Sequence, residues 1–139
     1  MIYMLDTDTV SFFMKDNPKS VRARVAKHDR DEFCISAITC AELMFGLKRN
    51  YSKQLDYWLH EILAKFNTIA FDNASARIYG DIRSNLEKSG TLLDNMDMLI
   101  ASSALSVSAT LVSHNVKHFS KIKNLKVEDW CRSPGRKGK

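Results

Sequence analysis

Cysteine, proline and glycine are all scarce in this chain, at three, two and five of 139 residues, and each scarcity removes a class of structure. Cys34, Cys40 and Cys131 are an odd set without a C-x-x-C pair, which suggests neither a disulfide framework nor a zinc knuckle and fits a reducing cytoplasm. So little proline and glycine excludes fibrous and low-complexity chains. No apolar run approaches the roughly 18 residues of a membrane span. The opening Met1-Ile2-Tyr3-Met4-Leu5-Asp6 has no basic stretch and meets an acid before a signal-peptide core could form, so no secretory leader is expected.

What is present is ordinary for a globular protein: 45% hydrophobic and 27% charged residues, in a length that supports one core but not two. A net charge of +5 would normally point to an anionic partner such as nucleic acid. Here it is concentrated at one end, because residues 130–139 carry four basic groups and no acid. The sequence is therefore expected to form a single domain over 1–130, followed by a basic, flexible tail over 131–139.

Hydrophobic periodicity alternates between strand and helix. Tyr3 to Leu5, Phe33 to Ser36, Thr68 to Phe71, Thr110 to Ser113 and Lys126 to Asp129 read as strands. Between them lie helical stripes: Val10, Phe12 and Phe13; Val21 and Val25 after the Asn17-Pro18 break; Ile38 to Leu47; Leu55 to Leu63; Ala76 to Leu86, ending near Gly90; and Met96 to Leu105. Asp72-Asn73 supplies capping chemistry before the fifth of these. Strands alternating with helices predict an α/β fold with a mostly parallel central sheet.

Three acids stand where acids are costly. Asp6 ends the first strand, the position at which open α/β sheets place their ligands. Glu42 shares a helical face with Ile38 and Phe45, and Asp97 lies between Met96 and Met98 on the face of Ile100 and Ala101. A carboxylate among apolar side chains needs a partner, a proton or a metal ion. Singly, each has a plain structural role: Asp6 as a helix cap, Glu42 as a partner of Arg49 or a lysine, Asp97 at the positive end of its helix dipole. Together they form an oxygen-rich set suited to Mg²⁺ or Mn²⁺, and such an ion activates water for phosphodiester hydrolysis.

Five segments in order, Met4-Leu5-Asp6-Thr7, Ser36-Ala37-Ile38-Thr39-Cys40-Ala41-Glu42-Leu43 with Gly46-Leu47, Asp97-Met98-Leu99-Ile100-Ala101, Ala109-Thr110-Leu111-Val112-Ser113-His114-Asn115 with Phe119, and Val127-Glu128-Asp129-Trp130, resemble the motifs of VapC-type PIN-domain toxins. The resemblance spans nearly the whole chain. It implies a PIN-like three-layer α/β/α sandwich and an endoribonuclease dependent on Mg²⁺ or Mn²⁺, with transfer RNA as the expected substrate. It also implies a homodimer, restrained by a VapB-type antitoxin in a larger complex that reaches DNA only through the antitoxin. Carried onto this sequence, it makes Asp6 and Asp97 the principal metal ligands and Glu42 a further ligand or the group orienting the attacking water. Thr7 becomes a nearby hydroxyl, and Asn115 assists by hydrogen bonding.

The chain departs from the pattern it resembles at two places. Asp8 stands where many carry Asn, adding negative charge beside the site, and Asp94, after Leu92-Leu93, stands where a small residue is common. Asp94 is expected to cap the helix of Asp97 or to add an acid near the metal. Two other readings compete. Asp6-Thr7-Asp8-Thr9-Val10 also looks like the D-x-D start of haloacid-dehalogenase phosphatases, and Asp8 keeps open a PIN-like module that binds RNA or an antitoxin without turnover. His114 and His118 are four apart but lack an adjacent third ligand, so zinc is not expected. Lys117 and Arg83 are candidate phosphate contacts. Phe12, Phe13, Met44, Phe45, Leu55, Trp58, Leu59 and Leu63 are expected to be core, with part of the stripe available for an antitoxin helix.

Overall fold

A computed structural model describes residues 1–132; the proposed tail beyond Arg132 lies outside the described residues. In chain order the elements are β1 (Tyr3–Leu5), α1 (Thr7–Lys15), α2 (Ser20–Val25), β2 (Phe33–Ser36), α3 (Ala37–Arg49), α4 (Lys53–Lys65), β3 (Asn67–Ile69), α5 (Asn73–Lys88), α6 (Asn95–Ser106), β4 (Thr110–Val112), α7 (Val116–Phe119) and β5 (Val127–Glu128). All pairings in the five-stranded sheet are parallel, in the order β3-β2-β1-β4-β5. The α/β expectation is met. The strands are shorter than the periodicity suggests: β3 stops at Ile69 and β5 has two residues. Both lie at sheet edges, where only one neighbour fixes the backbone.

Strand alternation sorts the core into two layers. Tyr3, Leu5, Phe33, Ile35 and Val112 face one side and pack with Val10, Met14, Leu59 and Ile62 from α1 and α4. Met4, Cys34 and Leu111 face the other and meet Ile82 and Leu86 of α5, Met98, Ile100, Ala101 and Ala104 of α6, and Phe119. The helices start where short polar side chains accept a backbone N–H: Asp6, Ser36, Ser52, Asp72 and Asp94 cap α1, α3, α4, α5 and α6. After α5 the chain turns at Gly90, whose φ of 69° favours glycine.

Trp130 packs the chain beyond β5 into the core. It is 1% exposed, its ring lies against Tyr3, His28 and Phe33, and its indole N–H donates to Glu128 Oε1 at 2.9 Å. Trp130→Ala is expected to lower the unfolding free energy in urea by about 3–5 kcal/mol, the usual cost of emptying a large aromatic site; a loss under 1 kcal/mol would contradict this packing. Among the described residues no helix is long and apolar enough to cross a membrane.

Candidate active site

The sheet order makes β1 the point at which the chain switches direction, with β2 on one side and β4 on the other. The crevice beyond the carboxyl ends of such strands is where open sheets bind ligands. Asp6 sits there, 5% exposed, its N–H donating to Val112 O of β4 at 3.1 Å. One carboxylate oxygen accepts the Thr9 N–H at 2.9 Å, so the residue is both cap and site acid.

A small cavity of about 90 Å³ opens at this point, lined by Asp6, Thr7, Asp8, Glu42, Asp97 and Ile100. The three acids singled out by the sequence therefore line one cavity, although they come from the residue after β1, from α3 and from α6. Thr7 arrives on the first turn of α1 and its hydroxyl is shared between Thr39 Oγ1 and Glu42 Oε1, tying α1 to α3. Among the described residues, no three of these acids bring oxygens within 4.8 Å of one another. The acids surround the cavity rather than touching across it.

Crowding of negative charge shows in protonation. The Asp97 carboxyl is pushed up to about 6, first by burial and then by Asp94, Asp6, Glu42 and Asp8. Burial also raises Asp6 above the usual carboxylate range, against the hydrogen bonds from Ser113 and Thr9 that favour its ionised form. Such a cluster calls for a counter-cation. The donor set is all oxygen, which suits a hard divalent ion that keeps some of its waters.

Some expectations need correction. Glu42 does not lie on a buried apolar face: Phe45 is 64% exposed, and α3 packs inward through Thr39 and Leu43 instead. Among the described residues Glu42 has no ion pair with Arg49 or a lysine; its partner is Thr7. Met44 and Phe45 are surface rather than core. Asp94 is a cap, accepting the Met96 N–H at 3.1 Å, and its charge reaches Asp97. Asn115 begins α7 and does not line the cavity. Lys117 and Arg83 do not line it either, and Arg83 donates to the Tyr79 hydroxyl at 2.9 Å.

Sequence reasoning missed Ser113. This fully buried serine favours the ionised form of Asp6 and accepts the Asn115 N–H at 2.9 Å, which connects Asn115 to the site through its backbone. The available signal was a hydroxyl at the end of an otherwise apolar strand, next in the sheet to the strand bearing Asp6.

Three comparisons bear on this geometry. The chain matches the PIN domain model over residues 3–125. It is 36% identical over 134 residues to Ribonuclease VapC2 of Rickettsia felis, covering 94% of this chain and 98% of that one. It is 31% identical over 130 residues to the tRNA(fMet)-specific endonuclease VapC of Salmonella typhimurium, covering 93% and 98%. The crystal structure of VapBC2 from Rickettsia felis, bound to a DNA fragment from the promoter, matches with a TM-score of 0.84 at 36% identity, covering 94% of this chain and 99% of that one.

Proposed function

Because this chain belongs to the VapC group of the PIN-domain family, we propose that it is the toxin of a toxin–antitoxin pair, an endoribonuclease dependent on Mg²⁺ or Mn²⁺. The observation that carries this is the acid-lined cavity at the switch point of the sheet. Asp6 and Asp97 would hold the ion, with Glu42 as a further ligand or as the group that orients water. The ion supplies an activated water and neutralises charge developing on the phosphodiester.

The protein's own part is to hold these groups still. The Thr9 N–H fixes the Asp6 carboxylate, Ser113 favours its ionised form, and the first turn of α6 presents Asp97 with the positive end of the helix behind it. Thr7 occupies Glu42 Oε1, which leaves Oε2 as the oxygen free to accept a proton from water. Asn115 at the neighbouring strand end is a hydrogen-bonding group for substrate or its water. The name of the Salmonella typhimurium relative makes transfer RNA the first substrate to test, and the cytoplasm is the compartment in which such a substrate is met.

The purified chain is expected to cut transfer RNA at a discrete position with Mg²⁺ or Mn²⁺ and to stop when EDTA removes the ion. Mapping of 5′ ends reads the position. Equal cleavage in EDTA would sink the metal-dependent reading, and no cleavage with either ion would favour the non-catalytic module. The D-x-D phosphatase reading has no place in a chain that matches the PIN domain over residues 3–125.

A VapB-type antitoxin is the proposed partner, since the matching Rickettsia felis structure is of VapBC2 with promoter DNA. Its contact with DNA, and homodimerisation of the toxin, belong to this reading. Met44 and Phe45 on α3 and Tyr51 and Tyr57 around the start of α4 are exposed large apolar side chains, which an antitoxin helix could cover. Phe45→Glu is expected to weaken antitoxin binding roughly 10–100-fold and to leave RNA cleavage unchanged, as titration and a parallel cleavage assay would read. Unaltered affinity would place the antitoxin elsewhere.

A further inference from the structure

A second cluster of metal-ligand side chains lies outside the acidic cavity and shares no residue with it. His114 follows β4, and Asp129 and Cys131 follow β5, the neighbouring strand. One ligand atom from each, an imidazole nitrogen, a carboxylate oxygen and the Cys131 Sγ, lies within 4.8 Å of the other two. Chain separation hid this set, because the pairing of β4 with β5 brings Asp129 and Cys131 to His114, while His118 is not part of it.

The geometry is held in place from several directions. Asp129 Oδ1 accepts the Cys131 N–H at 2.9 Å, and Oδ2 lies 3.1 Å from His114 Nδ1. Trp130 between the two ligands is anchored in the core, and the Cys131 carbonyl accepts the Ser20 hydroxyl at 2.9 Å. Phe12 meets the His114 ring edge-on, with centroids 6.3 Å apart. The plain alternative is an ion pair of His114 with Asp129, to which Arg132 Nε adds a distant contact at 4.0 Å.

We infer that His114, Asp129 and Cys131 form a binding site for a borderline-soft divalent cation, with Zn²⁺ the best match, in which three protein ligands leave a fourth position open. A nitrogen, oxygen and sulfur set disfavours Mg²⁺ and Mn²⁺, which take oxygen ligands, and suits Zn²⁺, which accepts Cys, His and carboxylate in a tetrahedron. On binding, the Cys131 thiol gives its proton to solvent and His114 Nδ1 exchanges its hydrogen bond to Asp129 for the metal. The ion would clip the end of β5 to the turn that carries Ser113 and Asn115.

The test uses the full chain with excess Mg²⁺ present to occupy the acidic cavity. Co²⁺, added in place of Zn²⁺ as a spectroscopic substitute, is expected to give a thiolate-to-metal charge-transfer band that Cys40→Ser keeps and Cys131→Ser loses. Calorimetry with Zn²⁺ is expected to show one equivalent bound, weakened about tenfold or more by His114→Asn. His114 is exposed, so that variant tests the site even if Cys131→Ser fails to fold. No band in the parent chain, a band that survives Cys131→Ser, or unchanged Zn²⁺ affinity in His114→Asn would each overturn the assignment.

Discussion

Asp97→Asn is expected to reduce RNA cleavage at least about a hundredfold while making the metal-free protein more stable. The loss follows from removing a proposed ligand whose charge no neighbouring residue of α6 replaces; losing even an outer-shell partner of a metal typically costs 10–100-fold. The gain follows first from the burial of the carboxyl and then from crowding by like charge. Asp97 shares its surroundings with Asp94, Asp6, Glu42 and Asp8, and its carboxyl is pushed up to about 6. In the unfolded chain the same group ionises near the ordinary value of 3.8. The folded state therefore holds more protons in the interval between, and stability falls as pH rises through it. An amide carries no charge to repel, so the variant and the parent should melt alike near pH 4 and diverge progressively to about pH 7. Thermal melts in EDTA across that range check the stability half, and a parallel cleavage assay checks the other. A variant that melts lower than the parent at pH 8, or that cleaves equally well, would contradict the arrangement.

Addition of Mg²⁺ should raise Tm far more at pH 8 than at pH 5. The ion binds the ionised cluster, and below pH 6 it competes with the proton on Asp97. At a hundredfold excess over the dissociation constant, ligand binding contributes about 2.7 kcal/mol, which in a chain of this length corresponds to roughly 10 °C in Tm. At pH 5 the shift should fall to a fraction of that. Equal shifts at the two pH values would mean that the ion stabilises the protein from somewhere other than the acids around Asp97, and scanning calorimetry of Asp97→Asn would then show the shift undiminished.

These results bear on how much of the site the amino acids announce before the chain is folded. Asp6 and Asp97 were legible because each breaks a run whose periodicity requires burial, and Ile100 and Ala101 are indeed buried beside Asp97. Asp72 and Asp94 were legible as caps because capping is local, reaching only two or three residues ahead. Glu42 was identified for a reason that the structure corrects. A 3.6-residue period groups Ile38 with Phe45, but it cannot say which stripe faces the sheet, and α3 turns Thr39 and Leu43 inward while Phe45 stays in solvent. Ser113 and the His114, Asp129 and Cys131 cluster are properties of strand neighbourhood. Their chemistry exists only once β4 lies between β1 and β5, which no local pattern encodes.

The placement of β1 has a further consequence in time. This strand is made before β4 yet pairs with it on one side, through Tyr3 to Thr110, Met4 to Leu111 and Leu5 to Val112, so the acid that follows it must wait for a partner made much later. At about 5–20 residues per second on the ribosome, roughly 5–20 s separate the synthesis of Asp6 from that of Ser113. A nascent chain therefore carries Asp6 well before β4 exists to pair with β1, and the pocket comes together only after β4 has been made.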